Sequence, residues 1–499
     1  MKRIPLLLIL LITGICLFGI FDMEWNQYNQ LNIVLTNFGI IGHDVSSGQA
    51  GAYWPSGYPA ENYIYGSGIW FGAIVDTAVV LPDTLRDTLV SVGYNPNSGT
   101  SEMCPGYGDE TTDPLERVYN SSTDWPPFNA DSSVVFDSIV SQYDTYCYYS
   151  DMDSSLHFTD ENLPLGITVK QHSYQWIGPL LEDFVIIKLT VKNERSDGKS
   201  MNDCYFSYAM DSDIGYEGGT SANDINGYID TMTVNFGGNP DTLMWLNTGY
   251  QFQTQDETGW SHTPAILSMI LLESPVASDN IDLYHDGSYI ISAGEEIGMT
   301  SFRTFSLSVD PADKIERYQM LAGYNHLTYD PASPENSYEP FPSWGEGTAG
   351  YPGQSENESN AGDKRFIISS GPFDLHFGEQ TSITLAFAIN QDSSEIVPNI
   401  LFIKDFWESN SSSGIVDISH ETEPEAILSD GQTKFIIRGE NKVFDIVLYD
   451  IKGSRISKLF TGPVNGQKTI YLKEDIPSGI YFIVDKRKNF RIMKVNLIK

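Results

Sequence analysis

Two short stretches of the chain concentrate side-chain oxygen at spacings that could hold a cation. DSDIGYE, residues 211–217, offers Asp211, Asp213 and Glu217 around Gly215. NDINGYID, residues 223–230, follows closely and offers Asp224, Asn226 and Asp230. Oxygen ligands at i, i+2 and beyond, with glycine permitting a tight turn, are what a loop needs to hold calcium. The EF-hand spacing is not met, so the expectation is a structural calcium site of irregular form, with these six residues as ligands. YSDMDSS, with Asp151 and Asp153, is a second and weaker candidate. The sequence contains no HExxH, GxSxG, P-loop or GxGxxG pattern, and its eight histidines never fall at metal-ligand spacing. Paired carboxylates of the glycosidase kind cannot be singled out in a chain with 66 acidic residues. Catalysis is therefore left open, with a non-enzymatic role preferred.

The elements that must position these ligands are strands. Tyr205–Met210 runs directly into Asp211. In Phe184–Asn193, Val185, Ile187, Leu189 and Val191 share one face, and in Thr381–Asn390 Ile383, Leu385, Phe387 and Ile389 do so. Such period-two alternation marks antiparallel strands with one buried face. Similar runs lie at 31–37, 69–75, 165–171 and 265–272, punctuated by Gly, Pro, Asn and Asp. Helical periodicity is confined to Asp313–Leu321 and Glu395–Glu408. The expected fold is all-β: a large antiparallel β-sandwich body of one or two units at 24–409, then a small immunoglobulin-like β-sandwich. The loop region Tyr329–Gly362 is too long for simple turns and is expected to lie ordered over the surface.

Of the tryptophans, Trp70 and Trp176 sit in apolar runs and read as core. Trp54, Trp125, Trp245, Trp260 and Trp344 leave room for an aromatic platform on which sugar rings stack.

Charge divides the 499-residue chain. Residues 430–499 carry 14 basic against 7 acidic residues, whereas the rest carries 15 against 59. Such an acidic body repels nucleic acid and anionic lipid, so neither is expected as a partner. Residues 1–21 open with Lys2 and Arg3 and continue as an apolar run, the layout of a signal peptide. No later stretch is apolar enough to span a bilayer once that signal is removed. Cys104, Cys147 and Cys204 then permit one disulfide in any of three pairings, or three buried thiols. Residues 410–426 are small, polar and acidic, the composition of a linker.

Beyond the linker, FDIVLYDIKGSRI, then IPSGIYFI, then a lysine-rich final strand make up 427–499. This combination resembles the type A C-terminal sorting domain of type IX secretion. The resemblance places the family's Asp-x-x-Gly turn at Asp450 and Gly453, its Ser-Gly-x-Tyr step at Ser478, Gly479 and Tyr481, and its basic closing strand at Lys494–Lys499. It implies recognition by an outer-membrane translocon and a destination outside the cell or on its surface. The stretches TNFGIIG, WPSGYPAENYIYGSGIWFGAIVD, DSDIG and DKRFIISSGPF give the body a looser resemblance to secreted β-proteins of bacteria with that system, a group that lends no activity. The expectation is a secreted, cell-surface β-protein with a binding or envelope-structural role toward a cell-surface or glycan ligand. The alternatives are a carbohydrate-binding module and a carbohydrate-active hydrolase.

Overall fold

A computed structural model describes residues 21–411, except 81–82, 107–116, 128–133, 136–137, 159–162, 179–180, 217–220, 235–241, 256, 307–308 and 345–354. It then describes 425–429, 432–450, 455–471, 479–485 and 491–497. The expected signal peptide, apart from Phe21, and most of the linker fall outside these residues.

The body is one sandwich of two antiparallel sheets, of eleven and ten strands. The first sheet runs through Gly66–Val80, Met201–Asp211 and Arg365–Leu375 to Ser301–Phe305 at its edge, in that order. The second sheet runs through Tyr143–Ser150, Ile167–Gln175, Phe184–Asn193, Gln380–Asn390, Ile266–Glu273, Thr242–Gln253, Asp224–Val234 and Ser355–Asn357. Val185, Ile187, Leu189 and Val191 pack with Ile383, Leu385, Phe387 and Ile389 against Phe71, Phe206, Tyr208 and Phe366 of the facing sheet. The faces read from alternation are therefore the faces that meet.

The outer faces differ from the one-sided expectation. Phe184, Ile186, Ala386 and Ala388 are buried too, beneath the helix Ser393–Ser411, α2. Its Ile396, Val397, Ile400 and Trp407 pack on them. Helix α1, Lys314–Leu321, covers the other sheet, setting Met320 and Leu321 on Trp70, Val90, Val92 and Ile367. Asp313 caps α1 by accepting from the amides of Ile315 and Glu316, both at 2.9 Å. Gly72 lets α1 approach, because a Cβ there would stand 2.8 Å from Leu321 Cδ1. Pro398 falls in the second turn of α2, since the helix begins two residues earlier than its periodicity suggested. No helix among the described residues is long and apolar enough to cross a membrane.

The C-terminal unit has five antiparallel strands. Alternation at Lys434–Arg438 and Val443–Tyr449 reads as two strands, but the structure makes them one element, Gln432–Asp450, whose register shifts between Gly439 and Lys442. Arg455–Tyr471 pairs along most of its length. On the other side the first five residues of Gln432–Asp450 pair with Glu425–Ser429 and its last five with Gly479–Asp485. The shift lets one long strand serve both ends of the unit, which sequence spacing presents as two strands. Gly479, Tyr481 and Lys494 lie in the paired strands Gly479–Asp485 and Arg491–Leu497, and Asp450 ends the long strand. Gly453, Ser478 and Lys499 lie outside the described residues.

Cys104, Cys147 and Cys204 are buried free thiols, which settles the pairing question left open by the sequence. Asp151 is no metal ligand. It is fully buried, and its carboxylate accepts from Ser91 Oγ at 2.5 Å and from the amides of Leu165, Gly166 and Ile167 at 2.6, 3.0 and 2.8 Å. Asp153 is occupied by the amide and hydroxyl of Ser155. Removing the Asp151 carboxylate orphans four donors in a site closed to water. Asp151→Ala is expected to cost about 3 kcal/mol or more in urea unfolding, with Ser91→Ala much milder. Equal midpoints for Asp151→Ala and the parent would contradict this role.

Candidate metal centre

The Met201–Asp211 strand ends at Asp211, which pairs in register with Arg365, the first residue of Arg365–Leu375. Asp363 therefore sits two residues outside that pairing. After Asp211 the chain leaves the sheet, and Asp213 adopts a left-handed backbone with φ of 47°. Aspartate tolerates this conformation better than most residues do. Asp224 opens a strand of the other sheet. Its amide donates to the Gly362 carbonyl at 3.3 Å, and the Gly362 amide donates back at 3.0 Å. Four aspartates, three from neighbouring stretches and Asp363 from far along the chain, are thus drawn to one end of the sandwich, where the two sheets are stitched together.

One oxygen from each of Asp211, Asp213 and Asp363 lies within 4.8 Å of the others. Asp211 Oδ2 stands 3.1 Å from Arg365 Nε, Asp310 Oδ2 3.2 Å from Nη1 and Asp363 Oδ1 3.5 Å from Nη2. One guanidinium cannot satisfy the group. Asp211 Oδ1, Asp213 Oδ1 and both oxygens of Asp224 are buried without a hydrogen-bond partner. Asp224 is 0 % exposed. Nearby, the Tyr94 hydroxyl and Ser212 Oγ are also buried without a partner. Gly66 makes room for Tyr94, because a Cβ there would lie 2.2 Å from its ring.

Burial pushes the Asp224 carboxyl up to about 10, with Asp213, Glu257, Asp211 and Asp363 adding repulsion. Burial, then Asp363, pushes Asp213 to about 6 against the pull of Arg365. Asp211 is raised well above the usual range, first by burial and then by Asp213, with Arg365 opposing. For Arg365, burial disfavours the charge, but Asp211, Asp310 and Asp363 outweigh it and raise the pKa. The residues present fit a hard divalent cation: all donors are oxygen, several are anionic, and those of Asp224 are buried and unpaired.

Of the six ligands expected from sequence, the structure brings together Asp211, Asp213 and Asp224. Glu217 lies outside the described residues. Asn226 is not a ligand, because its amide donates to the Arg365 carbonyl at 2.9 Å and its carbonyl accepts from Gln251 at 2.8 Å. It steadies the strand that carries Arg365. Asp230 is excluded by distance: six residues along an extended strand is about 20 Å. Asp363 was missed, as was Glu257, which gives one oxygen to the Tyr216 amide at 2.7 Å. DKRF at 363–366 carries the signal, but only the Asp211–Arg365 pairing reveals it.

Fold and site define a class: an all-β, two-sheet sandwich faced by one helix on each side, with a partly buried carboxylate cluster at its seam. No protein-family model and no curated protein matches the chain. Among solved structures, the chain is similar to a polysaccharide lyase at 8% identity and a TM-score of 0.24, over 96% of this chain and 46% of that one. It is also similar to a candidate aldose 1-epimerase from Escherichia coli K12 at 10% identity and a TM-score of 0.26, over 74% of this chain and 100% of that one. The chain thus spans less than half the length of the lyase, and likenesses at these scores carry no argument.

A pH dependence follows from the raised acids. Without a cation, the folded state holds protons that the unfolded chain releases above the ordinary value of 3.8. This part of the stability is complete below that value and is lost as pH rises, through about 6 for Asp213 and on toward about 10 for Asp224. In chelator, the melting temperature is expected to fall between about pH 5 and 8, and Asp224→Asn should flatten the fall. A profile that rises over that range would contradict the assignment.

Proposed function

We propose that the chain is a secreted, cell-surface-associated β-protein whose body is a calcium-stabilised scaffold with a binding or envelope-structural role. The buried, unpartnered carboxylate of Asp224 beside Asp211, Asp213 and Asp363 carries this reading. Such a group costs stability unless a cation joins the sheets through it, and modules outside cells work with calcium at ~0.1–1 mM. The charge contrast between tail and body, and the tail's resemblance to a sorting domain, support delivery by type IX machinery. A tail read as an address needs a folded β-unit ending in a strand, and Arg491–Leu497 pairs with Gly479–Asp485 as such a unit requires. Calcium is preferred over magnesium because acids from several loops give an adaptable oxygen shell, not a rigid octahedron.

A ligand bound only by the folded state stabilises it by about 2.7 kcal/mol at a hundred times its dissociation constant. Calorimetry should therefore show a melting temperature that rises with calcium and falls with chelator. Asp213→Ala and Asp363→Ala should each remove most of that response, while Asp153→Ala leaves it intact. A melting curve indifferent to calcium would remove the cation from the proposal. Separately, residues 427–499 fused behind a reporter with its own N-terminal signal should carry it to the surface of a host with type IX machinery. Loss of 494–499 should leave it in the periplasm, and normal surface display of that truncation would refute the sorting role.

A further inference from the structure

A second polar centre lies on the outer face of the ten-stranded sheet, beside α2. A cavity of about 480 Å³ there is lined by Trp245, Asn247, Tyr289, Glu295, Glu296 and Lys404, among others. At its back the ladder between Asp224–Val234 and Thr242–Gln253 is broken, so that Leu246 and Asn247 together stand opposite Asp230. Asn247 is the bulge residue, held left-handed with φ of 49°. Bulges of this kind re-aim a side chain and cluster beside functional sites.

The bulge leaves polar atoms unpaired. Asn247 is 7 % exposed and its Oδ1 has no partner, and both oxygens of the fully buried Asp230 have none either. Lys404 Nζ donates to the Leu271 carbonyl at 2.9 Å, which leaves it further N–H bonds to give. Burial lowers the Lys404 ammonium to about 8, against the opposing charges of Glu296 and Asp230. The Trp245 and Tyr289 rings meet at 4.7 Å and 49°, forming an angled apolar wall.

We propose that this cavity binds a neutral saccharide through Asn247 and Lys404, with its apolar ring face against Trp245 and Tyr289, while Asp230 lies behind them and acts through its charge on Lys404. Hydroxyl groups donate and accept at once, so a sugar can satisfy both the orphan Asn247 acceptor and the spare ammonium donors. Aromatic faces cover the C–H surface that such a ring also presents. The Lys404 ammonium disfavours a metal ion here, unlike at the Asp211 cluster, and Glu295 and Glu296 disfavour anionic sugars. This gives the binding role proposed above its ligand class and rests on that role, but not on the cation or the export route.

The test is saturation-transfer NMR and calorimetry on the full chain, with calcium and with chelator. The probes are methyl glucoside, methyl mannoside, methyl galactoside, xylose, cellobiose and glucuronic acid. At least one neutral probe is expected to bind with a dissociation constant of about 1 mM or below. Trp245→Ala and Asn247→Gly should weaken that binding tenfold or more, glycine being free to keep the left-handed backbone. The proposal is overturned if no neutral probe binds, if only glucuronic acid does, or if Trp245→Ala and Asn247→Gly bind like the parent. Loss of calcium-dependent melting with binding intact would overturn the cation reading alone.

Discussion

The pairing of Asp211 with Arg365 is the constraint on which the end of the sandwich depends. Backbone register places the two residues side by side across adjacent central strands, and the guanidinium then reaches Asp310 and Asp363 as well. The reciprocal hydrogen bonds between Asp224 and Gly362 bring a strand of the opposite sheet to the same place. More carboxyl groups are gathered there than Arg365 can pair, and burial holds protons on them when no cation is present. Burying charge without a partner is among the costliest things a fold can do, which is why the cation proposed above belongs at this seam and not among surface acids.

The second centre has the opposite balance. Around Asp230 the acids face an ammonium, and the unpaired atoms include a neutral carbonyl as well as a carboxylate. The first arrangement selects by charge, the second by hydrogen-bond direction and ring shape. Both sit at irregularities of the same strand: Asp224 at its opening, where it meets the Gly362 turn, and Asp230 where a bulge in the neighbouring strand interrupts the ladder. Regular pairing buries side chains in apolar layers, and polar work is left to the places where pairing fails.

The two helices extend the same logic to the outer faces. Strands such as Phe184–Asn193 and Gln380–Asn390 are apolar on both sides over part of their length, which one opposing sheet cannot cover. Helix α2 covers the excess, and α1 does so for Trp70, Val90 and Ile367. The tryptophans accordingly divide. Trp54, Trp70 and Trp176 are buried, the first two donating to Asp183 and to the Tyr94 carbonyl. Trp245 keeps a face toward a cavity.

By itself, the sequence determined the local features, because period-two alternation, capping and turn chemistry act between near neighbours. The inward faces of Val185–Val191 and Ile383–Ile389, the cap at Asp313 and the clustering of Asp211, Asp213 and Asp224 were all legible in it. So was the division between an acidic body and a basic, strand-ending tail. Only the tertiary structure decided what depends on contacts between distant segments. It brought Asp363 and Arg365 to Asp211 across more than 150 residues, sent Asn226 to support Arg365 and placed Asp230 against a lysine of α2. It also turned Asp151 from a loop ligand into a buried acceptor for four donors. Spacing along a chain reports which side chains can share a turn or a face. Strand order, which no local pattern encodes, decides which of them share a charge.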